Sequence, residues 1–165
     1  MNEGYIIKQL TLEDLESYKT MRLEALQLEA DKFGNSFAVE AAYPESEWIH
    51  RLTQPDRACF GLFYKNELVG ITAVLTNAED LTNGYMTQSY IRPPHRAKGL
   101  SQLFYNVRIA WAKQQGLKTL TISHRKSNLV SKAAILKNGF LFTHSEPRVW
   151  GDGSEGENLF YSLGL

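Results

Sequence analysis

The chain holds one cysteine, Cys59, in 165 residues. That excludes an intramolecular disulfide and a thiolate zinc cage. The histidines show no metal-ligand spacing either, so no metal site is expected. Neither sign of charge is in excess: 18 Lys and Arg balance 18 Asp and Glu. A nucleic-acid binder needs a basic surplus or a concentrated basic face, and the short Arg125-Lys126 pair is too small to supply one. No apolar run approaches the length of a membrane span, and Met1-Asn2-Glu3-Gly4 has no basic stretch leading into an apolar one. The expectation is a protein with no membrane or nucleic-acid partner, located in the cytoplasm. Repeats, low-complexity tracts and long Pro/Gly/Ser linkers are absent too, so residues 1–165 are expected to form a single domain.

What is present alternates between strand and helix patterns. Gly4 to Leu10 reads as a strand. Leu12, Leu15, Tyr18, Met21, Ala25 and Leu26 then recur at helical spacing up to about Glu29. Phe33 to Tyr43 reads as a loop or broken helix, and Glu45 to Leu52 as a short helix. Ala58 to Tyr64 and Leu68 to Leu75 form a hairpin around Lys65-Asn66-Glu67. A polar loop from Thr76 to Asn83 leads to a strand from Tyr85 to Ile91. A helix follows from Leu100 to Gln115, stopped by Gly116, then a strand from Leu117 to His124. Ser131 to Asn138 is a short helix ended at Gly139. Phe140 to Thr143 and Asn158 to Leu163 are the last strands, parted by a Gly-rich loop over 151–156. The order is that of an α/β domain with a mixed sheet, a meander followed by β-α-β units.

The most telling segment is Ile91-Arg92-Pro93-Pro94-His95-Arg96-Ala97-Lys98-Gly99-Leu100-Ser101. A strand halts at a Pro pair, a basic turn follows, and a helix opens. The first amides of a helix lack intrahelical acceptors and lie at the positive end of its dipole. Gly99 removes a Cβ from the approach, and Arg96 and Lys98 add positive charge. Such a cradle suits the pyrophosphate of a nucleotide-like cofactor at the C-terminal end of a strand. Read blandly, Gly99 is a turn glycine, Arg96 and Lys98 a solvated pair, and Asn128 a helix cap.

Arg96-Ala97-Lys98-Gly99-Leu100-Ser101, with Ile91 and Pro93 ahead of it, resembles the Arg/Gln-x-x-Gly-x-Gly/Ala loop of the GNAT superfamily of acetyl-CoA-dependent N-acyltransferases. Asn128, Ser131, Lys137, Gly139 and Phe140 resemble the family's second signature. Arg22, Leu26, Phe33-Gly34 and Trp48 loosely resemble its front end. The resemblance implies a mixed, mostly antiparallel sheet of six or seven strands flanked by about four helices. It further implies a splay between the fourth and fifth strands. Acetyl-CoA is the implied cosubstrate. Its pyrophosphate would rest on the amides of Ala97, Lys98, Gly99, Leu100 and Ser101, beside Arg96. Backbone groups of Tyr90 and Ile91 would meet the pantetheine arm and the acetyl carbonyl, with the Ile91 N–H as oxyanion donor. Asn128 and Ser131 would flank the arm.

Two positions depart from that pattern. Many family members carry a Tyr seven residues after the Asn, where it can protonate the leaving thiolate; here Ile135 stands there. Enzymes that acetylate ribosomal-protein N-termini carry a Glu five residues before it; here it is Ser123. His124, at the end of the fifth strand, is the remaining candidate acid or base, though it also reads as a surface residue. Tyr90, Glu40 and Glu47 are weaker candidates, and Tyr105 is placed on the outer side of its helix. Cys59 is too far from the thioester to act as a covalent carrier. The expected function is acetyl transfer to an amine of a small molecule or peptide by direct reaction in a ternary complex, in a monomer or a homodimer. The rival is a non-catalytic acyl-CoA-binding or sensing domain of the same fold.

Overall fold

The computed structural model describes residues 3–165. Seven strands of the described residues form one sheet in the order β1-β2-β3-β4-β5-β7-β6. The strands are β1 (Tyr5–Gln9), β2 (Arg57–Tyr64), β3 (Glu67–Asn77), β4 (Asp80–Ile91), β5 (Thr119–Arg125), β6 (Leu141–Val149) and β7 (Glu155–Gly164). The α-helices are α1 (Leu15–Leu28), α2 (Phe37–Ala41), α3 (Glu45–Thr53), α4 (Ser101–Gln114) and α5 (Leu129–Lys137). All neighbouring strands run antiparallel except β4 and β5, which are parallel. The expected mixed, mostly antiparallel sheet is therefore the one observed. The stretch that reads as a broken helix contributes the short extra helix α2.

Period-two alternation sorts the side chains onto two faces. Phe60, Val74, Met86, Leu120 and Ile122 pack beneath α4 and α5, together with Tyr105, Trp111 and Ile135. On the other face Cys59, Ile71, Ala73 and Tyr90 pack beneath α1 and α3, with Tyr18, Met21, Leu26 and Trp48. The β2–β3 turn holds Lys65 and Asn66 at φ 50° and 68°. Two consecutive positive φ values are the signature of the tight turn whose twist matches a two-residue hairpin.

Two segments differ from the pattern of the sequence. The polar run over 76–83 reads as a loop, yet β3 extends to Asn77 and β4 begins at Asp80. Polar bonds hold it in strand form: Asp80 Oδ1 accepts from the Thr82 N–H at 3.0 Å, and Asn83 Nδ2 donates to Thr119 Oγ1 and Thr121 Oγ1 at 2.9 and 3.0 Å. Hydrophobic alternation cannot reveal a strand held this way. Likewise β6 reaches Val149, well past Thr143. It is an edge strand exposed along its whole length, so no burial pattern marks it, and Pro147 is tolerated because one side of an edge needs no ladder donor.

Candidate active site

β4 and β5 pair at only three positions, Asn83 with Thr119, Gly84 with Leu120 and Tyr85 with Thr121. Beyond them β4 runs on to Ile91 and β5 to Arg125 without backbone pairing, which opens a V between the two strands. On the β3 side the register moves from Ile71 opposite Tyr90 to Ala73 opposite Thr87. One extra residue is thus inserted in β4. Gln88 sits in this bulge at φ 65°, and its Oε1 accepts the Tyr18 hydroxyl at 2.6 Å. A non-glycine residue in the left-handed region costs energy, and its surroundings must hold it there. The bulge bends β4 away from β5 and strips its backbone of ladder partners. A cleft of about 980 Å³ fills the V.

The cradle closes one part of this cleft. Ala97 and Gly99 both have positive φ, 60° and 73°, and a Cβ on Gly99 would point into open space. None of the amides of Ala97, Lys98, Gly99, Leu100 and Ser101 donates to a protein acceptor among the described residues. Five N–H groups without protein acceptors at the head of the 14-residue α4 are the donor set that could receive an anion. The residues here fit a pyrophosphate. Arg96 is placed otherwise than its charge suggests. Its Nε donates to the Ile91 carbonyl at 2.6 Å, and its Nη1 pairs with Glu29 at 2.8 Å. It ties the end of α1 to the end of β4, whereas Lys98 is exposed and outside the cleft lining.

On the far side Asn128 caps α5: its Oδ1 accepts from the Ser131 N–H at 3.2 Å. The cap reading therefore holds, while the Asn128 Nδ2 has no protein acceptor among the described residues and Asn128 lines the cleft beside Ser131 and Ala134. Ile135 is fully buried in the core beneath α4 and α5 and does not line the cleft. His124 is buried rather than on the surface. Its ring stacks on Tyr161, with Nδ1 2.6 Å from the Arg125 carbonyl and Nε2 3.0 Å from the Tyr161 hydroxyl. A carbonyl only accepts, so Nδ1 carries the proton and Nε2 is taken up by Tyr161. Alternation puts His124 on the α5 face of β5 with Leu120 and Ile122, while Ser123 and Arg125 face α1.

The α1 face of the V carries a different set. The Tyr85 hydroxyl bonds Ser123 Oγ, which also accepts from Asn158 Nδ2 at 3.1 Å. The Tyr90 hydroxyl donates to Glu24 at 2.8 Å, and burial together with that carboxylate pushes its pKa up to about 12. Glu40 is locked between Arg22 and Arg51, and Glu47 is bonded to Arg51, so neither is a free base. Burial alone pushes the Glu40 carboxyl up, but the hydrogen bonds and charges of Arg22 and Arg51 outweigh it and hold it below the usual range. Cys59 lies buried on β2, where burial raises its thiol pKa.

Sequence reasoning passed over several cleft residues. Gln88 gives no local sign of a bulge. Tyr105 faces inward instead of outward, buried against Phe140 and lining the cleft. Arg108 is fully buried at the cleft lining, and its Nε donates to the Phe104 carbonyl at 3.0 Å. No carboxylate pairs with it among the described residues, and burial draws its pKa down to about 10. A charged residue within an apolar helical stripe was the available signal. Arg125 and Trp150 join the lining from β5 and the β6–β7 hairpin.

No cluster of three or more metal-ligating side chains occurs among the described residues, and none of their helices is long and apolar enough to cross a membrane. A search of curated protein sequences returns no match. Solved structures match closely in fold. A ribosomal-protein-S5-alanine acetyltransferase from Vibrio fischeri superposes with a TM-score of 0.80 at 16% identity, over 98% of this chain and 93% of that one. A PaiA N-acetyltransferase from Thermoplasma acidophilum, in complex with coenzyme A, gives 0.75 at 16%, over 98% and 99%. A GNAT-family acetyltransferase from Streptococcus pneumoniae gives 0.75 at 15%, over 98% and 99%. At such identities these likenesses speak for the fold alone. The sequence model of the acetyltransferase (GNAT) family matches residues 22–140, most of the chain and both halves of the open V, and the chain belongs to that family.

Proposed function

We propose that this chain is an N-acetyltransferase that carries an acetyl group from acetyl-CoA to an amine of a small molecule or peptide, directly, in a ternary complex. Residues 1–165 would act as one catalytic unit. The observation that carries the reading is the run of five unpaired amides, Ala97 to Ser101, opening onto a V whose walls meet at Tyr85 and Thr121. Acetyl-CoA, when bound, supplies an activated thioester. The Ala97–Ser101 amides would hold its pyrophosphate, and Asn128 Nδ2 and Ser131 its pantetheine arm. The Tyr90–Ile91 backbone, with the Ile91 N–H as oxyanion donor, would fix the carbonyl.

The proton balance follows from what the cleft lacks. His124 and Glu40 have their polar atoms engaged, and Glu40 and Glu47 lie outside the cleft lining. The acceptor amine would therefore enter neutral by its own ionisation, which a peptide N-terminal amine with a pKa of about 8 does more readily than a lysine at about 10.4. Tyr85, Ser123 and Asn158 would orient it. On the cofactor face the buried positive charge of Arg108 would lower the cost of a thiolate leaving group, the service a donor at position 135 cannot give. The thiolate would then take up, through cleft water, the proton the amine sheds as the amide forms. Several structural relatives are named for acetylating ribosomal-protein alanines, which supports an amine acceptor. Ser123 and Ile135 argue against a ribosomal-protein acceptor here.

Calorimetric titration with acetyl-CoA, CoA, ATP and NAD tests the cofactor. Acetyl-CoA should bind and NAD should not; no binding of acetyl-CoA overturns the reading. The occupied His124 and the buried Ile135 also favour a non-catalytic acyl-CoA sensor. Binding of acetyl-CoA with no thiol release against an amine library would decide for it.

A further inference from the structure

Three guanidinium groups converge on the segment joining α1 to α2. The Arg22 Cζ lies 5.1 Å over the Phe33 ring. Arg125 Nη2 donates to the Ala30 and Phe33 carbonyls at 2.9 and 2.5 Å. Arg148 Nη2 is 3.2 Å from where a Cβ on Gly34 would stand. Arg125 and Arg148 also share Trp150, their Cζ atoms 4.4 and 5.2 Å from its ring. All three arginines line the cleft. In a chain of zero net charge, Glu29 is the one carboxylate among the described cleft-lining residues, and Arg96 takes it.

These three cations are unequally satisfied. Arg125 has Asp152 and two carbonyls, with its buried Nε left without a partner. Arg22 holds Glu40 through Nε and Nη2, but its buried Nη1 has no partner. Arg148 has no carboxylate within ion-pairing distance among the described residues and makes no hydrogen bond from its guanidinium there. An exposed, unpaired guanidinium lining the same cleft as a buried one with only its Nη1 unpartnered fits a planar anion with two oxygens, which is a carboxylate. Nearby the β6–β7 hairpin borders the cleft. The Gly151 N–H donates to the Gly34 carbonyl at 3.1 Å, and a Cβ on Gly151 would lie 2.7 Å from the Asn35 and Ser36 backbone. The β6–β7 hairpin is thus clasped to the 34–36 segment, at a distance only glycine permits.

We infer that the acceptor is a small amine bearing a free carboxylate, an amino acid or close analogue, whose carboxylate is held by Arg148 and Arg22 against the Phe33–Gly34 segment. This deepens the acetyltransferase reading and rests on it. Arg22 and Arg148 are binding residues here; Arg125 and Trp150 position them.

The test compares amino acids with their amides and decarboxylated amines, following CoA release with a thiol reagent. Rates are referred to the neutral-amine fraction, because the amide has the more acidic amine. Loss of a charge-assisted bond should make kcat/KM for the carboxylate form about 10- to 100-fold the higher. Arg148→Ala should bring that ratio toward one, and Arg148→Lys should keep part of it. A wild-type ratio below about threefold, by the same rule, or a ratio unmoved by Arg148→Ala, overturns the assignment. So would an acidic peptide that outperforms every free amino acid. A second arm needs no turnover: N-acetylglycine and N-acetylglycinamide are titrated calorimetrically into the wild type and Arg148→Ala. Equal binding of the two overturns the carboxylate site whatever the chemistry. Absence of acetyl-CoA binding instead sinks the transferase reading, while this arm still judges the site.

Discussion

Glu40 is the most exacting place to test how the α1–α3 layer is held together. Its carboxylate is 2% exposed and accepts from Arg22 Nε and Nη2 at 3.0 and 2.9 Å, Arg51 Nη1 at 2.9 Å and Asn35 Nδ2 at 3.1 Å. Glu40→Ala strands two guanidinium groups whose side chains are only 6% and 9% exposed. Breaking a buried pair from one side costs about 3–5 kcal/mol, because the surviving charge stays desolvated. Against a total of roughly 5–15 kcal/mol that is a large share. At about 2–4 °C per kcal/mol for a chain of this size, Tm should fall by about 6–20 °C. Urea unfolding read by tryptophan fluorescence measures the free-energy loss, and a thermal scan the Tm, since Trp48 is buried 4.9 Å from the Arg51 Cζ. The sign of the pH dependence follows as well. Glu40 is held below its ordinary pKa, so its contribution is complete above the unfolded value of about 4.3 and is lost as the pH falls below that. Glu40→Gln should flatten this acid limb. The triple variant Arg22→Met, Glu40→Leu, Arg51→Met should recover most of the stability, because an apolar set of similar volume needs no charge balance. A loss below about 1 kcal/mol for Glu40→Ala would refute the argument, being no more than an exposed pair is worth.

Gly99→Val should weaken acetyl-CoA binding at least tenfold by calorimetry while moving stability by only about 1–2 kcal/mol, the cost of a Cβ at φ 73°; unchanged affinity would remove the cradle from the cofactor site. Ile135→Tyr should destabilise by about 1–3 kcal/mol in a denaturant titration, since the position lies in packed core rather than at the cleft. A neutral result would mean the ring finds the cleft after all. Arg108→Met should raise Tm, because a fully buried cation without a carboxylate partner is replaced by an apolar chain of similar length, and should lower kcat. A fall in Tm would show that the Phe104 carbonyl and the Tyr105 ring already compensate the charge.

The sequence by itself determined the order of strands and helices, the Gly99 turn at the head of α4 and the Asn128 cap. Each of these is written locally, in a hydrophobic period, a left-handed turn or a side chain that bonds the backbone three residues on. The family likeness over Tyr85 to Phe140 could be read for the same reason. Only the tertiary structure decided what each side chain faces. Gln88 adopts a positive φ because Tyr18, 70 residues away, holds its amide. His124 is turned away from the α1 face by one step of strand alternation and by Tyr161 across the sheet. The arginine cluster joins α1, β5 and β6 around Phe33, Gly34 and Trp150, and charge counted along the chain gives zero because it carries no record of which charges share a cleft.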